Sequence, residues 1–412
     1  MAEKESFARA LRRVRKGRDL SLRALARTAL LDVGYLSKVE NGHRPSTPGV
    51  AKAVDRALGA RGELIALAEV ERAARVQQAL PFDPMRRRSL LALGVAAPVV
   101  GIPVDQRHGT RKIGLVDVRQ LQDAAARLYG LDYQHGGETL WQAAKASAQN
   151  GYEMLETGTY GETVETQLVG ATARAQMCAG WLAFDAGRQD VARSSYNEAL
   201  ALARQTGDAE VEVHALSNLA FQSNVLGRPR EAMRYTEAAI RAGSAAHSRA
   251  RLSAIPHLRR AVASSLGQDR TGNAKAITAA RKVIDRDFDK PAEEWCSFLG
   301  QAELDGVEGT CLAELKQTKR AATLLERAIH GYGDRFARNR ALYRVRLASA
   351  HLDQRNIDEA ADAAGLALED LTDQVASWRV DNELASVAMR LNNFRHEHVV
   401  SEFLDRYSAA RS

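Results

Sequence analysis

The sequence predicts an all-α fold, in which a small N-terminal module of five short helices precedes a superhelix of paired helices. Two observations predict this arrangement. Over residues 6–78, apolar residues recur at helical spacing in short segments that are separated by turn and capping residues. From residue 113 onward, a pattern of small residues recurs about every 40 residues. A chain of 412 residues is also too long for one ordinary core, so we expect at least two domains.

The N-terminal module is centred on residues 21–45, where two short helices meet at a tight turn. Leu25 lies on the apolar face of the first helix, and the pattern breaks around Asp32, resumes, and ends at Gly42. The side chains of Ser21 and Asp32 can each accept a hydrogen bond from a first helical turn, so both are predicted N-caps. Two short helices joined in this way form a helix-turn-helix.

Three further helices complete a predicted domain over residues 1–80. A basic amphipathic helix over residues 6–17 precedes the central pair, and a fourth helix ends near Leu58. A fifth helix is predicted from Gly62 to about Gln78.

Charge is divided unevenly along the chain. Residues 1–80 hold 16 Lys and Arg against 9 Asp and Glu, and residues 81–112 hold 6 against 2. Residues 113–412 hold 36 against 40. A basic end attached to a mildly acidic body is expected when that end binds a polyanion. Scattered solvated charge is the alternative.

Residues 81–112 are predicted to form a basic linker between the two domains. Four of the nine prolines fall within residues 81–103, as expected for a connecting segment. The apolar run over residues 89–103 is too short for a bilayer crossing, which takes about 20 residues. We therefore predict no membrane association.

Cysteine usage and the N-terminal residues favour a cytoplasmic protein. The spacing of Cys178, Cys296 and Cys311 argues against a disulfide framework and against a zinc site. The N-terminal residues contain no apolar signal region, so secretion is not expected. No constellation of nucleophile, base and oxyanion donor stands out, so we predict no enzyme, no cofactor and no bound metal.

The repeat pattern of residues 113–412 is carried by pairs of alanines seven positions apart. The pairs are Ala192 with Ala199, Ala232 with Ala239, Ala321 with Ala328, and Ala360 with Ala367. Small residues at this spacing allow paired helices to approach closely, and stacked hairpins of this kind form a superhelix.

Residues 6–70 resemble the DNA-binding domain of the Xre family of helix-turn-helix regulators, which includes phage repressors. The strongest signature is Tyr35-Leu36-Ser37-Lys38-Val39-Glu40-Asn41-Gly42, followed by Arg44-Pro45. The resemblance implies a lambda-repressor-like domain whose third helix enters the major groove of double-stranded DNA. It implies base-reading positions at Asp32, Val33, Gly34, Ser37 and Lys38. It implies phosphate-binding positions at Arg23, Asn41 and Arg44.

Two of these positions depart from the family pattern. Val33 and Gly34 stand where the family often has amide side chains, so bidentate recognition of adenine is not available there. Val33 could instead contact a thymine methyl group. Gly34 either permits a close approach to DNA or is a tolerated defect that costs about 1 kcal/mol of helix propensity. Both interpretations stay open.

The resemblance also implies a structural ion pair between Arg15 of the first helix and Glu40 of the third. An unpaired acidic residue facing DNA would repel phosphate, so Glu40 is expected to have a partner. The alternative is an ordinary surface glutamate.

Residues 113–412 resemble the tetratricopeptide-repeat bodies that are fused to helix-turn-helix domains in bacterial regulators, including peptide-sensing ones. An α-solenoid of unspecified repeat family is the broader interpretation. The resemblance implies a ligand groove, with Asn218, Gln222 and Arg259 on the inner helices. The alternative for each is ordinary polarity of the surface or core.

Together, these features predict a transcriptional regulator that binds specific sequences of double-stranded DNA as a homodimer. The repeat domain would dimerise and sense a peptide, a small molecule or a protein partner. The rival prediction is an adaptor whose repeats bind a protein and whose N-terminal module makes only protein contacts. The basic charge of residues 1–80 favours DNA.

Overall fold

The computed structural model divides into two compact units, Met1–Gly94 and Val95–Ser412, and its described residues are mainly helical. It describes residues 6–29, 31, 33–41, 48–60, 62–68, 111–245, 250–286, 294–373 and 375–411. Outside helices and turns, these residues contain one isolated bridge, between Lys112 and Thr159. The predicted all-α class, with short helices followed by helical repeats, is confirmed. None of the described helices combines the length and the apolar character that a bilayer crossing requires.

The described part of the first unit is built from short helices. They are α1 (Phe7–Lys16), α2 (Leu22–Thr28), α3 (Val33–Glu40) and α4 (Pro48–Leu58), and residues 63–68 are also helical. The predicted N-cap at Ser21 is confirmed, because its hydroxyl accepts a hydrogen bond from the Ala24 N–H at 3.1 Å. Asp32 and the predicted continuation of the last helix to Gln78 lie outside the described residues.

A small apolar core holds these helices together. Phe7 and Leu11 of α1, Leu25 of α2, Leu36 of α3 and Val54 of α4 are each almost fully buried in one cluster. Burial of a side chain of this size contributes about 1.5–3 kcal/mol. Helices this short are marginal alone, so packing rather than helix propensity stabilises them.

An ion pair also joins α1 to α3. Arg15 Nε donates to Glu40 Oε2 at 2.6 Å, and Arg15 Nη2 donates to Glu40 Oε1 at 2.8 Å. Arg15 Nη1 donates to the Leu20 carbonyl at 2.7 Å. The Glu40 side chain is 6% exposed and that of Arg15 is 13% exposed. This two-bond geometry fixes the orientation of α3 against α1.

The environment of Glu40 keeps its carboxylate ionised. Burial acts to raise the Glu40 pKa, but the hydrogen bond and charge of Arg15 outweigh it, and the charge of Arg12 adds to their effect. The Glu40 pKa is therefore lowered. Arg12 Nε lies 3.5 Å from Glu40 Oε1, so two guanidinium groups share this carboxylate.

The second unit is a succession of longer helices. They are α5 (Leu115–His135), α6 (Trp141–Thr157), α7 (Glu162–Asp185), α8 (Gln189–Thr206), α9 (Ala209–Val225), α10 (Pro229–Ala245), α11 (Ala250–Leu266), α12 (Arg270–Arg286), α13 (Gln301–Glu314), α14 (Thr318–Gly331), α15 (Ala337–Gln354), α16 (Ile357–Asp373), α17 (Trp378–Leu391) and α18 (His398–Ala409). Short 3-10 segments lie at Glu294–Cys296, Asp334–Phe336 and Asn392–Phe394. Successive pairs from α7 with α8 to α15 with α16 pack as hairpins.

The turns of these hairpins share one backbone geometry. Each contains one residue with a left-handed φ between 58° and 73°, and these residues are Gly187, Gly227, Gln268, Lys316 and Arg355. The next residue donates its N–H to a carbonyl five positions earlier, as from Arg188 to Ala183 at 2.7 Å. This bond caps the end of the first helix in the hairpin. Only two of the five residues are glycines, so the backbone bonds impose this conformation on three residues with side chains.

The predicted alanine pairs lie where the helices of a hairpin touch. All eight alanines are fully buried, and each pair lies on the second helix of its hairpin. Close approach depends on glycine as well. A Cβ atom added to Gly306 of α13 would lie 2.3 Å from the Tyr343 ring of α15. Small residues therefore set the distance between neighbouring helices.

A buried ionic cluster holds α5 against helices far along the chain. It contains Asp132 of α5, Asp185 of α7, Arg338 of α15 and Arg379 of α17. Arg338 Nη2 lies 2.9 Å from Asp132 Oδ2, and Arg338 Nη1 lies 3.4 Å from Asp185 Oδ1. Arg379 Nε lies 3.3 Å from Asp185 Oδ1. None of the four side chains is more than 6% exposed.

Asp185 is the better-paired carboxylate of the cluster. It accepts hydrogen bonds from the Gly137 N–H at 3.0 Å and from the Ser377 hydroxyl at 2.9 Å. Burial acts to raise its pKa, but the charges of Arg338 and Arg379 and these hydrogen bonds outweigh it. The Asp185 pKa is therefore lowered, and the carboxylate stays ionised.

Asp132 has fewer partners. Its Oδ2 accepts a hydrogen bond from Trp181 Nε1 at 2.8 Å, whereas its Oδ1 has no hydrogen-bond partner among the described residues. Burial, together with the charge of Asp185, outweighs the attraction of Arg338 and raises the Asp132 pKa to about 6. Asp132 is therefore the member of the cluster that takes up a proton in mild acid.

Replacement of Glu40 by alanine should unfold the described core of the first unit. Removal of one partner of a buried ion pair costs about 3–5 kcal/mol. In a domain of this size, that loss lowers Tm by more than about 10 °C. Calorimetry of the full chain is the suitable measurement, because all four tryptophans lie beyond residue 140 and do not report on this domain.

Glu63→Ala is the matched control for this experiment. Glu63 pairs with Arg13, but their side chains are 45% and 53% exposed, respectively. Such pairs contribute at most about 1 kcal/mol. An unchanged transition in Glu40→Ala would contradict the stabilising role of the Arg15 pair.

The stability contributed by Asp132 should decrease as pH rises. Its folded pKa of about 6 is above the unfolded value, so the folded protein binds the extra proton between about pH 4 and 6 and loses it above that range. The unfolding free energy of the wild type, relative to Asp132→Asn, should therefore fall from pH 4 to 6 and then level off. Urea titrations at each pH would measure this difference.

Asp185→Asn provides the opposite control. Because the Asp185 pKa is lowered, its contribution is present above about pH 4 and is lost as pH falls through the folded pKa. A difference between wild type and Asp132→Asn that stayed constant from pH 4 to 7 would be inconsistent with the raised Asp132 pKa.

Candidate nucleic-acid interface and ligand groove

One face of α3 carries the residues that the family resemblance assigned to base reading. Gly34 and Lys38 are both exposed, and their four-residue spacing places them on the same face of the helix. Val33 and Ser37 are half-buried beside them. Asp32 lies outside the described residues. The outer face of α3 therefore presents one cation next to a position that has no side chain.

Val33 belongs in part to the core of the domain. It packs against the apolar cluster that holds α1 to α4 together. Only part of its surface is therefore left for a contact such as that with a thymine methyl group. Ser37 also has an internal role, because its carbonyl and hydroxyl oxygens both lie near the Asn41 amide nitrogen, at 2.9 and 3.4 Å.

The residues assigned to phosphate binding lie in different surroundings. Arg23 is exposed on α2, and Arg44 lies outside the described residues. Asn41 is exposed, but its Nδ2 donates to the Ser37 carbonyl and its Oδ1 accepts a hydrogen bond from Arg12 Nη2. The family resemblance gives Arg12 no role of its own, although Arg12 is one of the basic residues of the amphipathic first helix. The structure thus places a cation of α1 beside the C-terminal end of α3.

The described surface of this domain is strongly basic, in part because two of its four described acidic residues are used internally. Glu40 pairs with Arg15, and the buried Asp55 accepts hydrogen bonds from the backbone N–H groups of Gly62 and Leu64. Over residues 6–68, the exposed described acidic residues are Asp19 and Glu63. The exposed described cations are Arg9, Arg12, Arg13, Lys16, Arg18, Arg23, Arg27, Lys38, Lys52 and Arg56.

The second unit contains a cavity between α5 and the first helices of three hairpins, α7, α9 and α11. Asn218 and Arg259, both assigned to a ligand groove, line this cavity. Gln222 does not, because its amide donates to the carbonyl and side-chain oxygens of Gln189 at 2.8 and 3.0 Å. The cavity holds about 330 Å³ of empty space, part of it open to solvent.

The wall of the cavity is mainly aromatic. Its lining residues are Tyr129, Tyr133, Trp181, His214, Asn218, Ile255, Arg259, Trp295 and Phe298. The His214 ring stacks on Trp295, with ring centroids 3.6 Å apart. Burial, followed by the charges of Arg174 and Arg259, lowers the His214 pKa to about 3, so this ring is neutral at neutral pH. The sequence favours core or groove-lining roles for Trp181 and Trp295 but does not group the wall, because its members come from separate segments of the chain.

The comparisons with known proteins bear on the first unit. Residues 6–68 match the family model described as Helix-turn-helix domain. The matched segment contains α1 to α4, the Arg15–Glu40 pair and the exposed face of α3. None of the curated proteins that were compared matches the chain. The N-terminal part of this protein is therefore a helix-turn-helix domain.

Proposed function

We propose that this protein is a cytoplasmic transcriptional regulator that binds specific sequences of double-stranded DNA through its helix-turn-helix domain. The observation that carries the proposal is the charge on the surface of that domain. The described part of residues 6–68 has ten exposed cations and only two exposed acidic residues. Such a surface suits the phosphate backbone, whose neutralisation supplies most of the affinity of DNA-binding proteins.

The outer face of α3 supports sequence-specific contacts. In helix-turn-helix domains, the second helix of the pair lies in the major groove. That helix is α3 here, and the Arg15–Glu40 pair holds it in one orientation. Exposed Lys38 has no ion pair with a described residue, so its ammonium group is available to donate to guanine O6 or N7.

The family resemblances supply the finer parts of the proposal. The N-terminal domain is of the Xre type, and the repeat domain is of the tetratricopeptide type. One helix-turn-helix contacts only a few base pairs, so we expect a homodimer on half-sites about 34–36 Å apart. The repeat domain dimerises and binds a peptide, small-molecule or protein effector. The effector acts by changing the spacing of the two DNA-binding domains.

A protein-binding adaptor is the second candidate function. The repeat domain exposes large apolar side chains, among them Met389 at 71%, Leu366 at 45% and Trp378 at 42%. Exposed apolar groups on a helical-repeat scaffold favour contact with another protein. An adaptor of this kind has no need for the ten exposed cations of the first domain, so DNA binding remains the better-supported function.

Selection from fragmented genomic DNA tests the proposal directly. The purified full-length chain should enrich a sequence with repeated half-sites over the input DNA. One recognition helix contacts only a short DNA half-site, and a dimer contacts two such half-sites. Sequencing of the retained fragments measures the enrichment. If no sequence is enriched over the input, the adaptor becomes the favoured function.

Lys38→Ala and Arg23→Ala should weaken DNA binding in different ways. Lys38→Ala should reduce discrimination at one base pair by about 1–3 kcal/mol. Arg23→Ala should weaken binding to selected and random DNA alike and make the salt dependence shallower, because one phosphate contact is lost. Titrations with both DNAs at several salt concentrations measure the two effects.

Lys319→Ala is the matched control, because Lys319 is an exposed cation of the repeat domain. Its replacement should leave both affinities unchanged. Equal losses on selected and random DNA for Lys38→Ala and Arg23→Ala would refute the division of roles between the two residues.

A further inference from the structure

Arg259 carries a buried positive charge for which the described residues provide no ion pair. The residue is 6% exposed, and no carboxylate of a described residue lies within 4.0 Å of its guanidinium. Its Nε is buried, and no described residue provides it with a hydrogen-bond acceptor. The guanidinium does lie 4.1 Å from the centroid of the Phe221 ring, a favourable but weaker contact. Burial of a charge without a counter-ion is costly, so this position favours an added anion.

The carboxylate that acts most strongly on Arg259 is already occupied. It belongs to Glu303, whose Oε2 accepts hydrogen bonds from Tyr332 at 2.7 Å and from Tyr343 at 2.9 Å. Burial lowers the Arg259 pKa, but a guanidinium still keeps its proton at neutral pH. The charge of Arg259 is therefore present and without a close counter-ion.

A second donor without a partner borders the same cavity. The Tyr129 hydroxyl is buried and has no hydrogen-bond partner among the described residues. Asn218 also lines the cavity, and its one side-chain hydrogen bond to a described residue is long, 3.4 Å from Nδ2 to His214 Nε2. Among the lining residues, the buried side-chain atoms without a described partner are the Tyr129 hydroxyl and Arg259 Nε, and both can donate, so their complement is a group that accepts. A carboxylate is such a group, and its two oxygens can accept from a guanidinium and a hydroxyl together.

The rest of the wall suits an apolar group. Trp181, Trp295 and Phe298 supply aromatic surface, and the neutral His214 adds no charge. The 330 Å³ of empty space includes solvent at the opening, and the space within it that the centre of a water-sized group can reach is only about 20 Å³. The inner part therefore has room for a small acidic group, and an attached ring extends toward the opening.

We propose that this cavity binds a carboxylate attached to an aromatic group, with the carboxylate on Arg259 and the ring against the aromatic wall. The inference rests on the proposed function, in which the repeat domain senses an effector, and it names the chemistry of that effector. A free aromatic acid carries this chemistry, and so does the C-terminal residue of a peptide that ends in phenylalanine.

Binding of phenylacetate to the full-length protein tests the inference. Trp181 and Trp295 line the cavity, so tryptophan fluorescence and calorimetry should both report binding. Phenylacetamide should bind at least about 30-fold more weakly, equivalent to about 2 kcal/mol, because the charge pair is lost. The peptide N-acetyl-Ala-Phe, as free acid and as C-terminal amide, forms the second arm.

The two arms identify the source of the ligand. Binding of either acid with rejection of its amide supports the inference. Tighter binding of phenylacetate indicates a free aromatic acid, and tighter binding of N-acetyl-Ala-Phe indicates a peptide C-terminus. Failure of both acids to bind, or equal binding of acid and amide, overturns it.

Arg259→Gln tests the assigned anchor, and Arg260→Gln is the matched control, because Arg260 is the adjacent cation and does not line the cavity. Arg259→Gln should weaken phenylacetate at least about 30-fold without lowering Tm, because it removes a buried charge that lacks an ion pair. Arg260→Gln should bind as wild type. Wild-type affinity in folded Arg259→Gln overturns the inference.

Tyr129→Phe keeps the test decisive if Arg259→Gln does not fold. Loss of the hydroxyl should weaken phenylacetate by about 2–10-fold and leave phenylacetamide less affected. An unchanged preference for the acid over the amide would count against the cavity. All these titrations are made without DNA. Acid binding without DNA binding therefore contradicts only the proposed function, and DNA binding without acid binding contradicts only this inference.

Discussion

The repeat domain depends on the buried cluster of Asp132, Asp185, Arg338 and Arg379. Its pairs join residues as far as 194 positions apart in the chain. Backbone hydrogen bonds reinforce the same junction, from the Ala376 N–H to the His135 carbonyl at 2.7 Å and from the Glu138 N–H to the Ala376 carbonyl at 3.1 Å. The free-energy cost of removing these charges from water is offset only where their geometry is good. The main contribution of the cluster is therefore to specify which helices pack together. A displaced α5 would leave carboxylates and guanidinium groups buried without partners.

The cavity exists because this junction holds α5 in place. Tyr129 and Tyr133 of α5 form one side of it, and the Tyr133 hydroxyl donates to the Glu294 carbonyl at 2.8 Å. Trp181 belongs to both features, because its indole N–H donates to Asp132 while its ring lines the cavity. The Arg338 guanidinium lies 5.1 Å from the centroid of the same ring. A ligand that moved Trp181 would therefore act directly on the ionic cluster.

The features that were predictable from the sequence depend on local spacing or on a recognisable motif. Alanines seven positions apart mark the hairpin contacts because helical periodicity alone places them on one face. The family motif pointed to Arg15 and Glu40, which the structure brings within hydrogen-bonding distance. The ionic cluster and the aromatic wall carry no local signal, because their members meet only after several hairpins have stacked. The spacing of residues in the sequence also does not show which hydrogen-bond partners will draw a side chain away from the cavity. Gln222 lies one turn beyond Asn218 on α9, yet it bonds to Gln189 instead of lining the cavity.

The contacts of α5 with α15 and of α7 with α17 have a consequence for how this domain can evolve. Open helical arrays gain or lose repeats readily, because each repeat contacts only its neighbours. Here, duplication or deletion of one hairpin between α7 and α15 would move Arg338 away from Asp132 by the width of a repeat. Both carboxylates would then be buried without their counter-ions. The ionic cluster thus requires a fixed number of hairpins between its members. Repeat arrays usually diversify by duplication of whole repeats, and such a duplication would break this cluster.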